Sequence, residues 1–332
     1  MIISKKKFHF SIISALFFFA AYYSYLKFNL PYIKGEIDFS LIVADSKYFY
    51  QFTEKYPLSF IFTQSTSSWM VLLLYKLFNN LVYFFLMNFI ILCYAVYKAF
   101  KNNKFFLIIS FLILFNPIVL FHVSVINKDI FGLISVLFVI INQKNNKSHF
   151  FYYALIFSIL SRWSLTIVLL TYFLSKRDYF KKRRLYILTL LIILSSFVAY
   201  FVINYDTSNI ASLTSRDNSL GLLNWVNNLS SHGFYFLVLP IKIILNLFSE
   251  SINILNPIGF SKFISISSIL YLFIIAKIIY KKKFNLSNDF IFLTIIFCII
   301  YSVLPFVQHR YFLPLYPVLL FIIFNNKQLQ ND

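Results

Sequence analysis

What this chain can fold into is set by its apolar runs. Segments 8–26, 81–97, 105–126, 185–204 and 263–280 are near-continuous hydrocarbon, separated by short polar or basic intervals. A helix needs about 20 predominantly apolar residues to cross a bilayer. In lipid each backbone N–H and C=O must find its partner inside the segment, which favours helices. The sequence therefore predicts an all-α integral membrane protein, a polytopic bundle of about 8–11 transmembrane or re-entrant helices. Composition agrees: 60% of the 332 residues are hydrophobic and 12% charged, whereas a soluble domain carries about 25% charge. A net charge of +19 would point a soluble protein towards nucleic acid. Here Lys and Arg fall in clusters between apolar runs, as orientation signals do, so nucleic acid is excluded as a partner and the bilayer takes its place.

Orientation follows from those clusters. Lys5, Lys6 and Lys7 predict a cytoplasmic N-terminus, with 8–26 as a retained first helix, since no small-residue cleavage site follows it. The single transmembrane domain 1–332 then has a first external loop at 27–64, a probable interfacial helix at 57–78 and a second external loop at 205–232. Segments 81–97, 105–126, 130–141, 185–204, 263–280, 290–305 and 311–324 are predicted crossings, and 234–248 is predicted interfacial or re-entrant. Segment 150–174 begins and ends at basic clusters, so it reads as two short arms bent near Ser161, Arg162 and Trp163. The inner segments, including a cytoplasmic C-terminus, collect 18 of the 30 basic residues, and eight of the eleven acidic residues lie outside.

Acidic residues on the outer face are candidates for chemistry. Asp38 and Asp45 are seven apart, which on a helix places them roughly on one side. Asp45 or Ser46 is expected to start and cap a helix, where a carboxylate beside the membrane takes a proton from a hydroxyl. Lys128 and Asp129 are expected in a short external turn, with His122 below it in the apolar run. Arg162 interrupts a long apolar stretch, and a basic group at that depth costs about 2.5–3.5 kcal/mol unless it faces a cavity or partner. Arg310, flanked by His309 and Tyr311, carries a planar fork suited to phosphate. Arg216 stands in the second external loop. The cysteines, Cys93 and Cys298, lie in apolar runs without metal or disulfide spacing. No P-loop, GxGxxG, HExxH or GxSxG occurs, nor the paired polar residues at mid-depth that an ion-coupled transporter would show.

The ordered set resembles the GT-C superfamily of polytopic glycosyltransferases. DSKYFYQF at 45–52 is similar to that family's first-loop acidic context, and NKDIFGLISVLF at 127–138 resembles its acidic opening of a mid-chain span. YALIFSILSRWSLTIVLL at 153–170 carries Arg162 in the family's basic position, and RYFLPLYP at 310–317 matches its late R-Y-x-x-P-x-x-P. The resemblance implies a GT-C-like bundle using a polyprenyl-phosphate-linked sugar donor and a glycan acceptor at the outer face of the cytoplasmic membrane, in bacterial surface polysaccharide assembly. It implies Asp45 or Asp38 as base, with Arg310, Lys128, Arg162 and His309 towards the donor phosphate, and Asp129, Arg216, His122 and Tyr311 as further site residues. No cofactor is implied and a divalent metal is not indicated. A Wzy-type repeat-unit polymerase is the second resemblance, with Arg216 and Arg310 foremost. A lipid-linked sugar flippase or non-catalytic membrane subunit is the reading from another class.

Overall fold

The computed structural model describes residues 5–38, 40–61, 66–78, 80–145, 148–205, 221–248, 251, 261–281, 285–303 and 309–325. Every regular element among them is helical. Helix α1 (Lys5–Ser24) passes through a π-helical turn (Tyr25–Asn29) into α2 (Leu30–Lys34). Pro31 has no N–H to offer the carbonyl four residues back, and the helix widens just before it. Gly35, at φ 84°, closes α2 in the left-handed conformation that suits glycine. Then follow α3 (Ser40–Lys55), α4 (Leu58–Ile61), α5 (Thr66–Phe78), α6 (Leu81–Phe100), α7 (Phe106–Leu114), α8 (Pro117–His122) and α9 (Asp129–Asn145). The chain continues as α10 (Ser148–Ser161), α11 (Trp163–Ser175), α12 (Asp178–Lys181), α13 (Arg184–Tyr205), α14 (Gly221–Ser231), α15 (Tyr235–Phe248), α16 (Ser261–Tyr280) and α17 (Asp289–Tyr301). A 3₁₀ segment (His309–Leu315) leads into α18 (Tyr316–Phe324).

Four described stretches are long and apolar enough to cross a membrane: Lys5–Lys34, Leu81–Phe100, Arg184–Asn204 and Lys262–Tyr280. The protein is thus a helical membrane protein. The remaining apolar helices are shorter because polar or proline residues break them. The run 105–126 is not one span: Asn116 accepts from the Ile118 amide at 3.0 Å and starts α8 at Pro117. The last run gains its α-helix only at Tyr316, after a 3₁₀ segment holding Pro314. Segment 150–174 does break at Arg162, between α10 and α11.

The long helices are peripheral. Between 11% and 39% of their central windows is buried, which leaves apolar flanks for lipid. The centre belongs to α9, where every residue from Asp129 to Ile141 is buried. Helix α9 packs against α6, α10, the 3₁₀ segment and α18. One close approach is at Gly132. A Cβ there would meet Ser161 Oγ at 2.8 Å and Pro314 Cγ at 3.0 Å, so three parts of the chain close on a position without a side chain. Gly132→Ala is expected to lower the thermal stability of the detergent-solubilised protein by about 1–3 kcal/mol through overpacking, although alanine is the better helix former. An unchanged or raised melting temperature would show that this junction has slack.

Candidate functional site

Directly above Gly132, α9 begins at Asp129. The chain arrives there through a non-helical stretch, 123–128, whose residues up to Asn127 are buried. Backbone in such a place needs partners other than water or its own helix. Asn88 of α6 donates to the Val123 carbonyl at 3.2 Å. Asn29, in the π turn, donates to the Phe121 carbonyl at 3.1 Å and to Ser124 Oγ at 2.7 Å. Asn127 Oδ1 accepts from the Asp129 amide at 2.8 Å. These amides hold the start of α9 in register.

Three distant parts of the chain meet Asp129. Arg162 is the extended N-cap of α11, at φ −159° and ψ 140°, which swings its side chain out of the helical path and into the bundle. Its Nη2 donates to Asp129 Oδ1 at 2.7 Å. The Tyr311 ring covers this guanidinium at 3.8 Å. Arg310 Nη1 lies 4.0 Å from Asp129 Oδ2, and its Nη2 lies 3.8 Å from Asp45 Oδ2. These last two contacts are longer than hydrogen bonds and act through charge. Asp129 is 3% exposed and Asp45 33%, so one carboxylate is sealed in and the other is reachable.

The balance of charge is positive. Two guanidiniums and Lys128 surround the single sealed carboxylate, and the N-termini of α9 and α11 add the positive ends of their dipoles. Burial, then the neighbouring Arg162 charge, lowers the Lys128 ammonium from its ordinary value to about 8, against the opposing pull of Asp45 and Asp129. Arginine keeps its charge when buried, so Arg162 and Arg310 balance Asp129 and Asp45, the charged Lys128 supplies an excess of one, and Asp45 is the accessible carboxylate at the edge.

Of the residues predicted for a site, Asp45, Lys128, Asp129, Arg162, Arg310 and Tyr311 are brought together. His122 ends α8, buried, within electrostatic reach of Asp129. Asp38 is exposed ahead of α3, and its charge, with those of Asp45 and Arg310, acts on the Tyr32 hydroxyl. Asp45 does not start or cap a helix: α3 begins at Ser40, and Asp45 and Ser46 lie within it. Asp38 and Asp45 therefore do not share a helix. The pair Lys128 and Asp129 is no solvated turn, because Asp129 is buried and paired. Arg162 has the buried partner that its place in an apolar stretch calls for. His309 is buried away from the cluster, with Nε2 3.3 Å from Ser267 Oγ and its ring edge-on to Tyr271. Arg216 lies outside the described residues. Tyr32, with Lys47 over its ring at 5.8 Å, was missed, and nothing in its local sequence sets it apart from the other tyrosines. No group of three or more His, Cys, Asp or Glu able to hold a metal occurs among the described residues.

A second polar level closes the other end of the same helices. Arg184 pairs with Asp289 and donates to the carbonyls of Leu286 and Ser287 at 2.9 and 2.7 Å. Gln143 donates to Asp289 at 3.0 Å and accepts from Lys176. Asp129 and Gln143 sit on α9, and Arg162 and Lys176 bound α11, so both helices put the levels about 21 Å apart at 1.5 Å per residue. A hydrocarbon core is about 30 Å thick. The two levels cannot both stand in water beyond it.

No family model, curated protein or solved structure matches the chain.

Two outcomes are expected of the cluster. Asp129→Asn leaves Arg162 and Arg310 without their shared counter-charge and should cost about 3–5 kcal/mol in a thermal melt, while Asp129→Asn with Arg162→Met recovers part of it. A single substitution as stable as the wild type would mean that the pair is not buried as described. Lys128 is charged below about pH 8 and neutral above it, so affinity for an anion at this face should fall as pH rises through that value. Lys128→Gln should flatten the profile, as read from phosphate binding across pH.

Proposed function

We propose that the chain is a membrane glycosyltransferase with a GT-C-like bundle. It takes its sugar from a polyprenyl-phosphate-linked donor at the outer face of the cytoplasmic membrane, in bacterial surface polysaccharide assembly. The observation that carries this reading is the convergence of Arg162, Arg310 and Lys128 on one sealed carboxylate, with Asp45 accessible beside them. A cationic excess below the membrane surface suits a ligand whose anionic group stays attached to a lipid tail. In the reaction, an acceptor hydroxyl oxygen attacks the anomeric carbon and its proton passes to the Asp45 carboxylate. The bond from the anomeric carbon to the phosphate oxygen breaks, and its electron pair leaves on the lipid phosphate. Arg310 and Lys128 stabilise that developing charge. Asp129 touches neither reactant in this scheme: it fixes the two guanidiniums, and Tyr311 keeps Arg162 flat.

Asp45→Asn is expected to reduce transfer from the donor by 10²-fold or more, on the order of what a general base contributes, with an unchanged melting temperature. Arg310→Ala should weaken donor use. Full transfer by Asp45→Asn in a purified, reconstituted assay would sink the reading. Arg216→Ala alone causing unpolymerised repeat units to accumulate would favour the polymerase.

A further inference from the structure

Far from the Asp129 cluster, where α12 turns into α13, lies a groove of about 610 Å³ lined by Tyr179, Phe180, Arg183, Tyr186, Ile187 and Leu190. We propose that this groove binds the headgroup of an anionic phospholipid. The inference is independent of the reading given to the Asp129 cluster.

Charge is the first argument. Arg177, Lys181, Lys182 and Arg183 are all exposed here, and Asp178 is the lone acidic residue among them. Arg184, next in sequence, is excluded from the count because it is buried and bound to Asp289. Geometry is the second. The Arg183 guanidinium lies 4.1 Å over the Tyr179 ring and donates to the Tyr179 hydroxyl. A residue that only orients the chain needs charge alone. Arg183 is instead held over an aromatic ring by a hydrogen bond and lines the groove, and a guanidinium is suited to phosphate. Position is the third. The groove runs from Arg183 along α13 to Ile187 and Leu190, and α13 belongs to the least buried of the four span-length stretches, with 11% of its window covered. Ile193 and Leu194 are exposed beyond it. A molecule with an anionic head and apolar tails meets cations and aromatic rims at one end and a lipid-facing helix at the other. A soluble phosphate would use only the first, and a polyanion such as nucleic acid would be carried against an apolar band.

The site borders the Arg184 and Asp289 junction, so an occupied groove braces the joint between α13 and α17. A juxtamembrane Lys or Arg contributes on the order of fivefold each to binding of an anionic lipid surface.

The test is native mass spectrometry of the full-length, detergent-solubilised protein titrated with phosphatidylglycerol or phosphatidylcholine, with melting curves in parallel. Phosphatidylglycerol should be retained preferentially and should raise the melting temperature. Lys181→Gln/Lys182→Gln/Arg183→Gln should weaken its binding on the order of 100-fold and leave phosphatidylcholine adducts as they were. Arg183→Lys, which keeps the charge and loses the stacked fork, should fall between the two and guards against a misfolded triple variant. Equal retention of both lipids, wild-type phosphatidylglycerol binding by the triple variant, or its displacement by equimolar inorganic phosphate would each overturn the proposal.

Discussion

One sealed carboxylate sets the terms for the rest of this bundle. A charge as buried as Asp129 is tolerable only beside opposite charge, and breaking such a pair costs several kcal/mol. Asp129 therefore dictates where Arg162 and Arg310 must be. Neither arginine could reach it from the middle of a regular peripheral helix. The chain meets the requirement by interrupting helices: α10 and α11 part at Arg162, α8 stops short of α9, and Arg310 rides on a 3₁₀ segment. Each interruption exposes backbone groups, and a particular side chain satisfies them. Asn29 and Asn88 serve the stretch before α9, and Tyr271 donates to the Phe312 carbonyl at 2.6 Å in the 3₁₀ segment. The irregular backbone, the buried amides and the ion cluster are one solution to one electrostatic demand.

That solution also separates two levels of charge by less than the thickness of a bilayer core. The Arg184 level is bordered by the densest basic sequence in the chain, which belongs at an interface. The Asp129 level lies about 21 Å away along α9, in the protein interior, where the effective dielectric is low and charge acts strongly. Asp45, one-third exposed, is the carboxylate of the cluster open to approach.

Much of this was legible in the sequence, and the reasons for success and failure are physical. A single arginine in a long apolar stretch is costly enough to demand an explanation, so the break at Arg162 could be read directly. The family-like pattern brought Asp45, Asp129, Arg162 and Arg310 into one list, yet nothing in the sequence paired them, since ion pairs across the bundle leave no local periodicity. The start of α3 was misread because the apolar residues ahead of Asp45 belong to the helix and not to a loop. Asn116-Pro117 was read through because apolarity dominates the window around it. Which apolar runs face lipid was not legible for a related reason: an apolar run looks the same whether its neighbours are lipid or protein. Helix α9, buried from Asp129 to Ile141, is the clearest instance.

The cluster's members also emerge in a fixed order: Asp45 first, then Asp129, then Arg162, and Arg310 only near the end. The Asp129 and Arg162 contact is available once two adjacent short helices have been made, early in membrane insertion. The third charge arrives with the 3₁₀ segment, after α13, α16 and α17 have been threaded. Until then the recess carries a different balance, with Lys128 and one arginine against two carboxylates. The finished charge balance of the cluster is thus a property of the part of the bundle made last.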